Sequence, residues 1–264
     1  MKKIYNKSNF LYSIVIMVLL LLSSCDVEKQ IAQEYVNFNK HNISVLILRP
    51  DYILKQNKIK TSDSITQDFY IKDISDSAFI EDYFNDLFNE LKTFGFKVYT
   101  DINIDSFLNA DTSAYVFNIS QILVEESITP KIESAEYDEN LYEKTFMLNT
   151  VTVNSWFEVT KPNKKENQMQ VLYSEHFIND YVKGRFIRSI LFGDVEYKYT
   201  RNNITLDDVY RLSAFSGKKN ADYIFDYLLN EHIYKRIQRP KNYYHYNRVK
   251  GKIEQAYLER FIFM

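Results

Sequence analysis

Side chains suited to chemistry are sparse in this chain. Its four histidines, His41, His176, His232 and His245, form no HExxH pair and have no cysteine beside them. The spacing that grips zinc is missing, and each reads as an ordinary surface or capping residue. No GxSxG elbow occurs, which disfavours a serine hydrolase of that architecture. The closest two of the five glycines, Gly184 and Gly193, are nine residues apart, so neither Gly-rich phosphate loop can be written here. No cofactor and no metal are expected. A catalytic carboxylate pair cannot be singled out among 35 acidic side chains without a fold. The adjacent Glu125 and Glu126 point to opposite faces of a strand and are not a pair.

Two stretches read as binding surfaces instead. Trp156, the single tryptophan, falls by parity on the strand face opposite Val153 and Phe157, beside Thr152 and Asn154. Were that face wet, it would mark a partner surface; the plainer expectation is that helices cover it. Residues 235–252 carry Lys235, Arg236, Arg239, Lys241, Arg248, Lys250 and Lys252 with no acid, interleaved with Tyr243, Tyr244, His245 and Tyr246. Cations with aromatics suit single-stranded nucleic acid in a cytoplasmic protein. Here they read first as a solvated loop, and otherwise as a surface for lipid headgroups, acidic glycan or a partner's acidic patch.

The lone cysteine, Cys25, has a more specific setting. Lys2, Lys3 and Lys7 give a positive start, Phe10 to Leu22 runs 13 residues with only Ser13 polar, and Ser23, Ser24 and Cys25 follow. A bilayer span needs about 20 apolar residues, whereas a signal-peptide apolar region needs roughly 7–15. Residues 1–24 are therefore expected to be a signal peptide. The run Leu22-Ser23-Ser24-Cys25 resembles the lipobox of bacterial lipoproteins. That resemblance implies a diacylglyceryl group on the Cys25 sulfur, cleavage after Ser24, and palmitate-like acylation of the new amino terminus. Two or three acyl chains anchor stably, at about 0.8 kcal/mol per buried methylene. The lipid bilayer is then the first partner and the cell envelope the location, the outer membrane ahead of the inner. Removing Lys2, Lys3 and Lys7 leaves 30 basic against 35 acidic side chains. No global positive charge recruits nucleic acid.

The elements that must position these residues are read from periodicity. The 264 residues are 45% apolar and 26% charged, which fits a folded domain with a sizeable core. Residues 25–42 read as a lipidated tether with some helix. The β-branched run 43–48, stopped by Pro50, reads as a buried strand, and 55–76 as a loop. Apolar residues at helical spacing predict a helix over 77–94, capped by Asp76 or Ser77 and ended by Gly95. Residues 96–100 make the next strand. Alternation predicts strands from Tyr115 to Leu123 and from Met147 to Val159, separated by an acidic insertion over 133–143. After a turn at Pro162-Asn163, residues 169–178 pair back. Two helices follow, one beginning near Thr205 with Asp208 in the capping-box position and one over 220–236. Residues 257–264 dock as a strand or helix. The prediction is a single α+β domain over 43–264, a mixed sheet in β-α-β-β-β-β-α-α order with helices packed on the sheet.

Val45-Leu46-Ile47-Leu48-Arg49-Pro50, Tyr83 to Val98, Ala114-Tyr115-Val116-Phe117 and Val151 to Tyr173 together resemble envelope lipoproteins of the curli-secretion and penicillin-binding-protein-activator type. The resemblance spans 43–178, and departs where Asn118 replaces a glycine and Pro162 to Gln168 replaces a tight Thr-Gly turn. It implies a non-enzymatic accessory or binding component of an envelope assembly, with an envelope protein or glycan as partner. Two other readings stay open. An envelope hydrolase or glycan-processing enzyme requires convergent carboxylates of raised pKa in a cleft. A subunit of an oligomeric secretion channel requires membrane-length hairpins, which the sequence does not display.

Overall fold

The computed structural model describes residues 27–59, 70–110, 113–162, 169–189, 193–237, 239–256 and 261–263. Leu22, Ser23, Ser24 and Cys25 lie outside them, as does the turn at Asn163. The β-branched segment Ile43–Leu48 forms β1, and Lys97–Tyr99 forms β3 parallel to it. Between them α2, Asp76–Phe94, buries Phe79, Tyr83, Leu87 and Leu91. Gly95 ends the helix at φ 94°, a left-handed geometry that glycine adopts without a Cβ clash. The helix is capped at Ser75, not at Asp76 or Ser77, and Asp76 instead pairs with Lys55 at 2.6 Å.

Strands β4 (Ser113–Tyr137), β5 (Asn140–Thr160) and β6 (Gln170–Asn179) follow as an antiparallel meander. One edge of β4 takes β1 and then β2, Leu54–Asn57, both parallel to it. That short strand corrects the expected loop over 55–76. The chain end returns as β11, Ile262–Phe263, on the outer edge of β6, with Phe261 1% exposed. The seven-stranded mixed sheet with helices is an α+β fold, as the sequence predicts.

Past Ser127 and Thr150 the β4–β5 ribbon leaves the sheet. The acidic insertion does not interrupt these strands: they stay paired to Tyr137 and Asn140. Asp138 and Glu139 turn the chain with φ of 49° and 65°, the two-residue turn whose twist matches a hairpin. A second hairpin, β7 (Tyr181–Arg188) with β8 (Val195–Asn202), lies on the free ribbon. Phe146, Leu148 and Val182 form a small core there with Tyr197, and the Tyr137 hydroxyl donates to the Phe186 carbonyl at 3.1 Å. This hairpin is absent from the sequence reading because its apolar residues pack on a ribbon, not on the main core.

One helix, α4 (Leu206–Arg236), replaces the two expected. Its start carries the anticipated capping box between Thr205 and Asp208. Around Gly217 α4 crosses α2. Ser213 donates to the Phe79 carbonyl at 2.7 Å, and a Cβ at Gly217 would lie 1.9 Å from the Tyr83 carbonyl oxygen. Close approach of the two backbones outweighs poor helix propensity.

Residues 27–37 form helix α1, with Ala32, Tyr35 and Val36 buried. The Tyr35 ring meets Phe225 and His232, and Arg236 grips Glu34 through both terminal nitrogens at 2.7 and 3.0 Å. The stretch expected as a tether is thus part of the packed domain from residue 27. A short helix α3, Ile104–Leu108, follows β3. The chain closes with the hairpin β9 (Tyr243–Asn247) and β10 (Lys252–Ala256).

Candidate functional site

Helices α2 and α4 lie on one face of the sheet. The Tyr83 hydroxyl donates to Ser155 at 3.1 Å and receives Asn220 at 2.6 Å. Lys235 donates to the Tyr115 hydroxyl at 2.9 Å, and Glu231 pairs with Lys161. Alternate residues of each strand consequently point the other way. That face carries Asn118, Gln121 and Glu125 from β4, Thr152, Asn154, Trp156 and Glu158 from β5, and Tyr173, Glu175 and Phe177 from β6, as their cross-strand pairing requires. Among the described residues only its β1–β3 margin is covered, by α3, where Phe107 packs on Tyr99. The expectation that α2 and α4 bury Trp156 is overturned: the ring is half-buried among its sheet neighbours on the uncovered side.

This face is pre-ordered. The Trp156 and Tyr173 rings sit 5.1 Å apart at 51°. The Tyr173 hydroxyl lies within hydrogen-bond reach of both Asn154 Oδ1 and Glu175 Oε2. Asn154 Nδ2 donates to Glu125 at 3.0 Å, and Lys58 pairs with the other Glu125 oxygen at 2.6 Å. Asn118 donates to Glu158 at 2.9 Å. Desolvation, then the Glu175 carboxylate, push the Tyr173 phenol well above its ordinary range, so it stays a donor. Two rings inside a frame of three carboxylates and oriented amides can stack on flat or apolar groups and accept hydrogen bonds from amino, guanidinium or hydroxyl groups.

The basic, Tyr-rich segment is not a free loop. Tyr244 is 4% exposed, its hydroxyl donating to Glu28 and its backbone exchanging two hydrogen bonds with the Asn230 side chain. His245 meets Asp226 at 2.7 Å, and Tyr246 packs on Phe225. Arg248 pairs with Glu90 at 2.6 Å and lies over the Phe94 ring. Buried carboxylates at Glu28, Asp226 and Glu90 recruit these donors, so Tyr244, Tyr246 and Arg248 hold the fold. Arg239 and Lys241 stay exposed, and Tyr243 is half-buried.

His176 lies under α4, 3.4 Å from Asn220 Oδ1 and between Phe215 and Tyr223. Burial lowers its pKa, which keeps the ring neutral. Among the described residues no three metal-ligating side chains gather.

The sequence reading missed two features. Asp180, 2% exposed, ties β5, β8 and the approach to α4 together: it accepts from the Asn149 and Ile204 amides and from Arg201. Nothing in one sequence marks it, since its partners lie 21 to 31 residues away. A cleft of about 520 Å³ opens between the end of β6 and α4, lined by Phe177, Tyr181, Leu212 and Phe215 with Asp208 and Arg211 at its polar side. No known protein-family model matches the chain, and no curated protein matches it.

Proposed function

We propose that this chain is an envelope lipoprotein, anchored through acyl chains on Cys25, whose domain is a non-enzymatic binding component of an envelope assembly. The observation that carries the reading is the uncovered face, where Trp156 and Tyr173 stand among Glu125, Glu158 and Glu175 in a hydrogen-bonded frame. Side chains ordered in advance lose little entropy when a partner docks. The carboxylates favour a basic protein segment or a hydroxyl-rich glycan. The lipobox-like run Leu22-Ser23-Ser24-Cys25 supports the location. A photo-crosslinking residue at Gln121 should capture one reproducible envelope neighbour in intact cells, and the same residue at Phe215 on α4 should not. Equal capture from both positions contradicts the reading. A Cys25→Ser variant should leave the membrane fraction; a bare thiol at Cys25 in the native product contradicts the anchor.

A second reading, a channel subunit, is favoured by the two hairpins. Strands β7 and β8 run 8 residues each, close to the 9–11 or so that cross a bilayer. Against it, Glu136 and Glu143 on one ribbon and Lys183, Arg185 and Lys198 on the other break any apolar band. A monomer in detergent by light scattering removes the channel reading.

A further inference from the structure

Cys25 stands only three residues before Glu28, and Glu28 is 3% exposed and fixed. Its carboxylate accepts from the Lys241 amide at 2.8 Å, from Asn242 Nδ2 at 3.2 Å and from the Tyr244 hydroxyl at 3.1 Å. Three residues reach at most about 10 Å. With no tether, acyl chains on Cys25 would enter a bilayer beside this spot. The exposed side chains there include Val27, Lys29 and Gln30 on α1 and Arg239 and Lys241 from the facing segment, and the three cations among them are what an anionic surface attracts.

The same geometry sets what faces away. On α4, Asn220, Glu231 and Lys235 meet the sheet layer, whereas Phe225, His232 and Arg236, about a third of a turn round, meet α1. Helix α1 therefore packs on the flank of α4, on the helix side of the sheet, and Trp156 lies on the opposite side of the sheet. A layer spacing of about 10 Å separates α1 from that face.

We infer that this domain has a fixed membrane pose: the rim of Lys29, Arg239 and Lys241 rests on anionic headgroups, and the Trp156 face is turned away from the bilayer. The inference rests on the anchor proposed above and names the surface that the anchor presses to lipid. Trp156, the only tryptophan, is a built-in reporter. The full lipidated protein is reconstituted into phosphatidylcholine–phosphatidylglycerol vesicles containing brominated lipid. Trp156 fluorescence should be unquenched, whereas a fluorophore on a Lys241→Cys variant should be quenched by spin-labelled headgroups. The double substitution K29E with R239E should reduce that quenching at least twofold. Quenching of Trp156, or a Lys241 probe untouched by headgroup quenchers while the protein stays vesicle-bound, overturns the pose. Protein that never remains with the vesicles instead refutes the anchor itself.

Discussion

Asp180 and Arg201 meet at 2.6 Å where β6 passes into the second hairpin, with the carboxylate 1% and the guanidinium 29% exposed. The same guanidinium donates to the Met147 carbonyl at 3.0 Å, and the same carboxylate accepts from Asn149 and Ile204. The root of β7–β8 is thereby tied to β5 and to the start of α4. Asp180→Ala leaves the buried Asn149 and Ile204 amides without their acceptor and Arg201 without its carboxylate, and should cost about 2–4 kcal/mol. Urea unfolding measures the loss, and amide exchange over 181–202 should accelerate before the main sheet opens. Unchanged exchange in the hairpin would contradict the clamp.

Gly217→Ala should destabilise, although alanine is the better helix former by about 1 kcal/mol. The new Cβ would sit 1.9 Å from the Tyr83 carbonyl, forcing α4 off α2 at a net cost of about 1–3 kcal/mol. A thermal midpoint equal to or above that of the parent would show that the crossing can relax.

Trp156 and Phe157 are neighbours with opposite fates. Phe157 is 0% exposed beneath the helices, so Phe157→Ala should cost about 3–5 kcal/mol. Trp156→Ala loses mainly its contact with Tyr173, worth about 0.5–1.5 kcal/mol, while crosslinking from Gln121 should disappear. Equal stability losses for the two variants would mean that something covers the Trp156 face.

Acidification should weaken the fold before carboxylates titrate. Burial lowers the pKa of His176 and of His232 below the ordinary 6.5. The unfolded chain then takes up protons that the folded chain refuses. Stability is full above about pH 6.5 and falls as pH drops below it. The thermal midpoint should decline from about pH 7 to about pH 5.5, with a shallower slope in His176→Gln. A midpoint that rises over this range would reverse the assignment.

The parts legible in sequence were those with local signatures. The apolar spacing from Ile80 to Phe94, the Thr205–Asp208 box, Gly95 and the alternation of β5 each depend on residues within a few positions of one another. What stayed hidden depends on distant partners. Glu133 to Glu143 is strand because Phe146 and Leu148 find Val182 and Tyr197 beyond it, and α1 is docked because Glu28 finds Tyr244, 216 residues on. Parity assigned Trp156 to the correct face, but which face the helices cover is a tertiary choice. The Tyr-rich segment shows the reverse problem: its composition suggested a surface, whereas Asp226 and Glu28 had claimed several of its donors.

A single backbone trace, β4, runs from Ser113 in the helix-backed core to Tyr137 at the tip of the projecting ribbon. At about 3.3 Å per residue that is some 80 Å of strand. Force applied at Asp138, the turn shared by β4 and β5, would draw both strands together and load the ladders of β4 with β1 and β2 and of β5 with β6 lengthwise, in shear, where many hydrogen bonds share the strain. The projection is accordingly a stiff lever, able to register a tug at its end in the sheet that carries Trp156.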